Sequence, residues 1–289
     1  MSNENWKIGA VQVTKIVESV SAHRAEDLFP GSSSEVVSQN REWLHPHFID
    51  NEDKLFLSIH SLCIEADGKK IVVDTCIGNE TPEPYAAIAI PGSKYLDDLE
   101  AIGFKRDEVD FVVCTHLHID HVGWNTMRQG EKYLPTFPNA RYLFTEPAVS
   151  GWKEQVPFEV ASFGTLTTIQ PLLDAGVIDA VPTDYRITDS IRLESTPGHS
   201  RGHVSVHIES GGEHALITGD ITHHPVQWAE LGWGQVSDVD VEESTATRKR
   251  ILEEYADKEV LLIGTHYPSP TAGHLVSTPQ GGRFVPLKD

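Results

Sequence analysis

Apolar and polar positions change rhythm several times along this chain, and the changes mark out its elements. Residues 55–64 alternate by side, as a strand with one buried face must. Shorter apolar or alternating runs at 11–17, 70–74 and 109–114 predict further strands in the first half. In the second half, runs at 191–195, 203–208, 214–217 and 260–263 do the same. Helical spacing shows over 93–102, with Gly103 placed to end that helix. It shows again over 241–257, where Ile251, Leu252 and Tyr255 share a face. Two strand-rich halves with helical cover predict an α/β chain. With 289 residues and 39% apolar content it can bury a large core, and no short repeat or low-complexity linker divides it. One domain spanning 1–289 is expected.

Two segments break the rhythm. Residues 1–54 supply an N-terminal strand and then, over 21–53, a polar arm carrying Phe29, Trp43, Leu44 and Phe48. Residues 146–186 read as a helical insert with Trp152, Phe158, Phe163, Leu166, Leu172 and Leu173. Large apolar side chains in such segments serve local packing more often than function. The alternative is that arm and insert cap a site and supply an apolar cavity.

The chemistry begins at Thr115-His116-Leu117-His118-Ile119-Asp120-His121, directly after the apolar run 109–114. Three imidazoles and a carboxylate on one short loop form a metal-ligand set suited to zinc and its first-row neighbours; calcium and magnesium prefer oxygen. Hydrogen-bonded structural histidines are the bland alternative, and so dense a cluster disfavours them. Three more ligand types follow strand ends: His199 after 191–195, Asp220 after 214–217 and His266 after 260–263. One tetrahedral zinc takes about four ligands, so seven are enough for two ions.

This order, His-x-His-x-Asp-His followed by His, Asp and His at strand ends, resembles the metallo-β-lactamase superfamily over roughly 55–266. The resemblance implies a four-layer αβ/βα sandwich with the metal site at one edge of its two sheets. It implies that His116, His118 and His199 hold a first metal and Asp120, His121 and His266 a second, with Asp220 bridging them. Asp74, in Val73-Asp74-Thr75, would support the metal loop. The implied cofactors are two divalent ions, zinc foremost, with a hydroxide between them as nucleophile. Asp120 would also act catalytically, passing a proton to the leaving group.

The bond cut is less directly written. A carboxylate at Asp220 separates the chain from true β-lactamases. Only Arg283 and Lys288 are basic after His266, unlike the basic glutathione-binding end of glyoxalase II. What remains resembles the acyl-homoserine lactonases and the methyl parathion hydrolase-like group. That implies a lactonase or esterase acting on a small apolar ester or lactone. A phosphotriester or thioester hydrolase, or a non-catalytic metal-binding member, stays open as an alternative. Those lactonases carry a tyrosine three residues after the bridging aspartate; here the position is His223, followed by His224. His223 is expected to be catalytic, donating a hydrogen bond to the substrate oxygen; otherwise it orients ligands. His203 is expected to support its loop, and Trp228 and Trp233 to line the pocket or pack beneath it.

Charge narrows the partners. Against 23 basic side chains stand 43 acidic ones, a formal −20, which opposes nucleic acid or an anionic membrane as partner. No apolar stretch approaches the ~20 residues of a membrane span, and the first residues do not read as a signal peptide. Cys63, Cys76 and Cys114 are an odd set without C-x-x-C spacing, which suits reduced thiols and a cytoplasmic location. A homodimer remains open.

Overall fold

Alternation along the strands sends side chains to opposite faces of a sheet, and that sorting builds the layers. The computed structural model describes residues 4–81, 86–153 and 165–287. One sheet runs in the order β1 (Asn5–Ile8), β2 (Val11–His23), β3 (Leu55–Ala66), β4 (Lys69–Val73), β5 (Phe111–Val113), β8 (Arg141–Thr145) and β9 (Ile178–Val181). Between β5 and β8 in sequence stands a separate hairpin, β6 (Thr126–Gln129) and β7 (Lys132–Pro135). The second sheet runs β10 (Ile191–Ser195), β11 (Val204–Ser210), β12 (Glu213–Ile217), β13 (Val260–Ile263), β14 (Ala272–Thr278) and β15 (Gly281–Pro286). Both sheets are mixed: β4, β5, β8 and β9 pair in parallel, as do β12 and β13.

Three buried clusters show how the layers stack. Ile71 and Val73 of β4 share a core with Ile191, Val206, Ile217 and Ile263, so the two sheets pack face to face. Val72, between them in sequence, joins Tyr95, Leu99, Ala148 and Leu172 from helices on the outer side of the first sheet. Leu216 and Leu262 turn outward from the second sheet to meet Ile251, Leu252 and Tyr255 of helix Val241–Tyr255. The order is helix, sheet, sheet, helix. Each such fully buried aliphatic side chain contributes roughly 1.5–3 kcal/mol relative to exposure.

The arm is packing material. Phe29, Leu44 and Phe48 are fully buried in the cluster beneath helix Val241–Tyr255, and Trp43 packs against it. The expected helical insert over 146–186 needs correction. Helices Glu146–Lys153, Thr165–Thr168 and Gln170–Ala175 are followed by β9, which pairs with β8 and edges the first sheet. There Val181 turns inward to the inter-sheet core, which an edge strand can do with few apolar residues. Trp152, Leu172 and Leu173 pack in the outer cluster of the first sheet. Phe158, Phe163 and the side chain of Leu166 lie outside the described residues. Among the described residues no helix is long and apolar enough to cross a membrane.

Candidate metal centre

Five strand ends, those of β4, β5, β10, β12 and β13, open toward one place. After β5 the chain turns through His116 and His118 into the short helix Ile119–Val122. The loop after β4 clasps that helix. Thr75 N donates to His121 O at 2.7 Å, Gly123 N to Cys76 O at 2.8 Å and Trp124 N to Thr75 O at 2.9 Å. A side chain at Gly123 would begin 1.8 Å from the Ile77 carbonyl oxygen, so only glycine permits this contact.

Asp220 Oδ2 lies at the centre of the cluster. His121 Nε2 and His199 Nε2 are each 3.3 Å from it, and His116 Nε2 is 3.6 Å away. Its other oxygen lies 3.2 Å from His266 Nε2. His118 Nδ1 faces His199 Nε2 at 3.0 Å, and His121 Nε2 faces His266 Nε2 at 3.3 Å. Asp120 closes the second group, 3.6 Å from both His121 Nε2 and His266 Nε2. Two ligand groups without a shared residue result: His116, His118, His199 and Asp220, and beside them Asp120, His121 and His266; a third set, Asp220, His223 and His266, overlaps both. Four donors at about 2.0–2.1 Å from a tetrahedral ion stand about 3.3 Å from one another, the separation seen here. His116 Nε2 is buried with no hydrogen-bond partner, as a nitrogen kept for a metal would be. The donors fit two divalent ions sharing Asp220.

An outer ring of hydrogen bonds aims these atoms. Asp74 Oδ2 accepts from His121 Nδ1 at 2.9 Å, and Asp74 also accepts from Thr115 N at 2.8 Å and from its hydroxyl. His266 Nδ1 donates to Ser58 O at 3.1 Å, and His199 Nδ1 donates to Asp238 Oδ1 at 2.7 Å. In each case the Nδ1 proton is committed outward, which leaves Nε2 for the ion. His203 Nε2 accepts from the backbone N–H of Asp220 at 2.7 Å and so supports the residue at the centre of the cluster.

Burial and charge pull the imidazoles apart. Burial, joined by neighbouring imidazoles, pushes His116 and His118 well below the usual histidine range. Burial acts the same way on His121, yet Asp220, Asp120 and Asp74 outweigh it and lift that ring well above the range. His199 is likewise raised to about 9, against burial, by its bonds to Asp220 and Asp238. Burial would raise Asp220, but the imidazoles around it hold its carboxyl well below the usual range. So much carboxylate among buried rings draws protons into the space that cations would take.

All seven residues expected from the sequence as ligands therefore converge, and His223 joins them. Its Nε2 is 3.0 Å from Asp220 Oδ2, its ring stacks on His266 at 5.2 Å, and its Nδ1 is buried without a hydrogen-bond partner. His224 does not reach the cluster: its Nε2 donates to Phe48 O at 2.8 Å and its Nδ1 accepts from Val226 N at 3.1 Å. Trp228 is fully buried beneath the loop, its indole N–H bonded to Tyr267 at 2.7 Å. Two contributors carry no motif. Asp238 pairs with a ligand 39 residues earlier. Glu18 sits on β2 and accepts from Trp124 Nε1 at 2.6 Å, Ser93 Oγ at 2.8 Å and Ile77 N at 2.9 Å, bracing the loop after β4. Its only signal in the sequence is a charge on a strand, beside the register shift at Val17 and Ser19.

The sequence profile of the metallo-beta-lactamase superfamily matches residues 56–266. An N-acyl homoserine lactonase, AiiA of Bacillus thuringiensis subsp. kurstaki, is 29% identical over 114 residues, 39% of this chain and 38% of that protein. A probable metallo-hydrolase of Mycobacterium tuberculosis is 24% identical over 189 residues, 58% of each. The chain thus spans well under two thirds of either relative. Among solved structures, the hydrolase AbOPH of the beta lactamase superfamily superposes with a TM-score of 0.82 at 22% identity, covering 99% of this chain and 98% of that one. AidC, a dizinc quorum-quenching lactonase solved with a homoserine product, gives the same score and coverage at 18% identity.

Proposed function

The chain belongs to the metallo-β-lactamase superfamily, and on that premise we propose that it is a dinuclear hydrolase of carboxylic esters, with lactones the preferred class. The observation that carries this reading is the pair of ligand groups joined through one carboxylate, Asp220. His116, His118, His199 and Asp220 would hold one ion, and Asp120, His121, His266 and Asp220 the other, with zinc suited to both nitrogen–oxygen sets. Two such ions supply Lewis acidity toward a carbonyl oxygen and a water made nucleophilic at neutral pH.

The chain's own groups do the rest. Asp120 has the most open side chain of the ligands, 27% exposed while the Asp220 carboxylate is 2% exposed. It is the one able to hold a proton and hand it to a departing alkoxide. His223 presents Nε2 to the same space, where it donates a hydrogen bond to the oxygen that gains negative charge. The lactonase named among the sequence relatives and the lactonase among the structural ones favour lactones over other esters. A formal charge of −20 disfavours polyanionic substrates.

A hydrolysis screen of metal-quantified protein across lactones, aryl esters, thioesters and phosphotriesters tests this. Lactones turned over at least tenfold faster in kcat/KM than the other classes would support it. Faster cleavage of phosphotriesters or thioesters, or turnover that survives exhaustive chelation, overturns it.

A further inference from the structure

Helix Val241–Tyr255 packs its apolar face on the second sheet, and its first turns and the loop before them grip the loop that carries His199. Over Pro197, Gly198 and His199 the contacts are continuous. Thr247 Oγ1 donates to Pro197 O at 2.6 Å, Asp240 N to Gly198 O at 2.9 Å and Val239 N to His199 O at 3.0 Å. Gly198 has φ +121, and a side chain there would begin 2.1 Å from the Ser244 backbone nitrogen. The helix start thus touches the ligand loop backbone to backbone.

Asp238 completes the grip. Its side chain is fully buried, and Oδ1 accepts from His199 Nδ1 at 2.7 Å. Oδ2 accepts from Ser244 Oγ at 2.6 Å and from Gln235 N at 3.0 Å. The guanidinium of Arg248, 1% exposed, lies 3.7 Å away and is itself tied to Leu231 O at 2.8 Å. The four polar partners of this carboxylate, His199, Ser244, Gln235 and Arg248, each present it a donor or a cation. That environment keeps it ionised and aimed at one imidazole nitrogen.

We propose that Asp238 is a positioning residue for the first metal subsite, holding His199 in the tautomer whose Nε2 faces the ion, with Ser244 and Arg248 holding Asp238. This rests on the two-ion reading given above. Asparagine is the informative replacement, because it keeps the size and fails either way round. With its oxygen toward His199, its amide N–H₂ faces the Gln235 N–H, a donor that cannot accept, and the Ser244 hydroxyl must turn its proton away to accept instead. With its amide toward His199, the ring must accept at Nδ1, and its proton moves to Nε2, where it blocks the ligand position.

Zinc release is measured by graded chelator competition on the full chain, for wild type, Asp238→Asn, Ser244→Ala and Glu194→Gln, with thermal midpoints alongside. Glu194 anchors the far end of the same helix, accepting from Tyr255 at 2.6 Å and Arg250 at 3.1 Å, and touches no ligand. Asp238→Asn should loosen one ion roughly 10–100-fold and the other less. Ser244→Ala should loosen the same ion by a smaller factor. Glu194→Gln should lower the midpoint and leave both zinc affinities within twofold of wild type. Unchanged zinc affinity in Asp238→Asn overturns the proposal, as does an equal loss in Glu194→Gln, which would credit helix stability alone. Should Asp238→Asn fail to fold, unchanged zinc affinity in Ser244→Ala overturns it. A wild type that holds a single ion removes the two-ion reading, and this proposal with it.

Discussion

Histidines of this chain differ in function according to which ring nitrogen the fold has already used. His121, His199 and His266 spend Nδ1 on an outer acceptor and keep Nε2 for the centre. His224 spends both nitrogens on backbone groups and is structural. His223 is the exception: Nε2 meets the Asp220 carboxylate at 3.0 Å and Nδ1 is committed to nothing. On the two-ion reading proposed above, seven other residues supply the donors and His223 is left to reach substrate. His223→Ala should therefore retain both ions by elemental analysis while lowering kcat by roughly 10–10³-fold. Loss of an ion in that variant would make His223 a ligand, and an unchanged rate would make it structural.

At the scale of elements, legibility followed contiguity. The ligand loop after β5 was readable because strand and donors lie in one stretch, and His199, Asp220 and His266 because each closes an apolar run. Strand β9 was not, since Ile178–Val181 buries only Val181 and follows a helical stretch. The hairpin of β14 and β15 was missed for a related reason: Ala272–Thr278 mixes glycine, histidine and serine with its apolar positions. Asp74 was placed by the family resemblance, while Asp238 and Glu18 meet their partners only through folding. Contacts of that kind leave no spacing to read.

Elements also meet at distances that a sequence cannot announce, and Gly123 shows how tightly. Gly123→Ala would put a methyl group 1.8 Å from the Ile77 carbonyl oxygen, so the clasp between the β4 loop and helix Ile119–Val122 must open. The expected cost is about 1–3 kcal/mol in urea unfolding, with weaker zinc retention, because His121 sits in the displaced helix. Gly232→Ala, which meets nothing within 4 Å, should stay within about 0.5 kcal/mol of wild type. Equal stability of the two variants would mean the clasp yields freely.

For the whole molecule, the buried imidazoles set how stability responds to pH. One class is pushed down by burial: His224 and His207 to about 4, and His203 to about 3. The unfolded chain protonates these rings near 6.5, so their contribution is complete above that pH and lost as pH falls through the folded values. For fully buried His224 alone the loss is on the order of 3 kcal/mol. The other class is raised against burial by carboxylates, His199 to about 9, with His121 and His266 also above the usual range. Their contribution in the metal-free chain is complete below about 6.5 and lost as pH rises through the folded values. The two signs together predict a maximum. Stability of the metal-free chain should peak near pH 6–7 and decline on both sides, toward 4 and toward 9. Loading with zinc replaces the protons on the second class, so the alkaline decline should disappear while the acid one steepens as protons compete for the ligands. Urea midpoints from pH 4.5 to 9.5, with and without zinc, measure this. An alkaline limb that is identical in the two forms would mean that cations do not take the place of protons among these imidazoles.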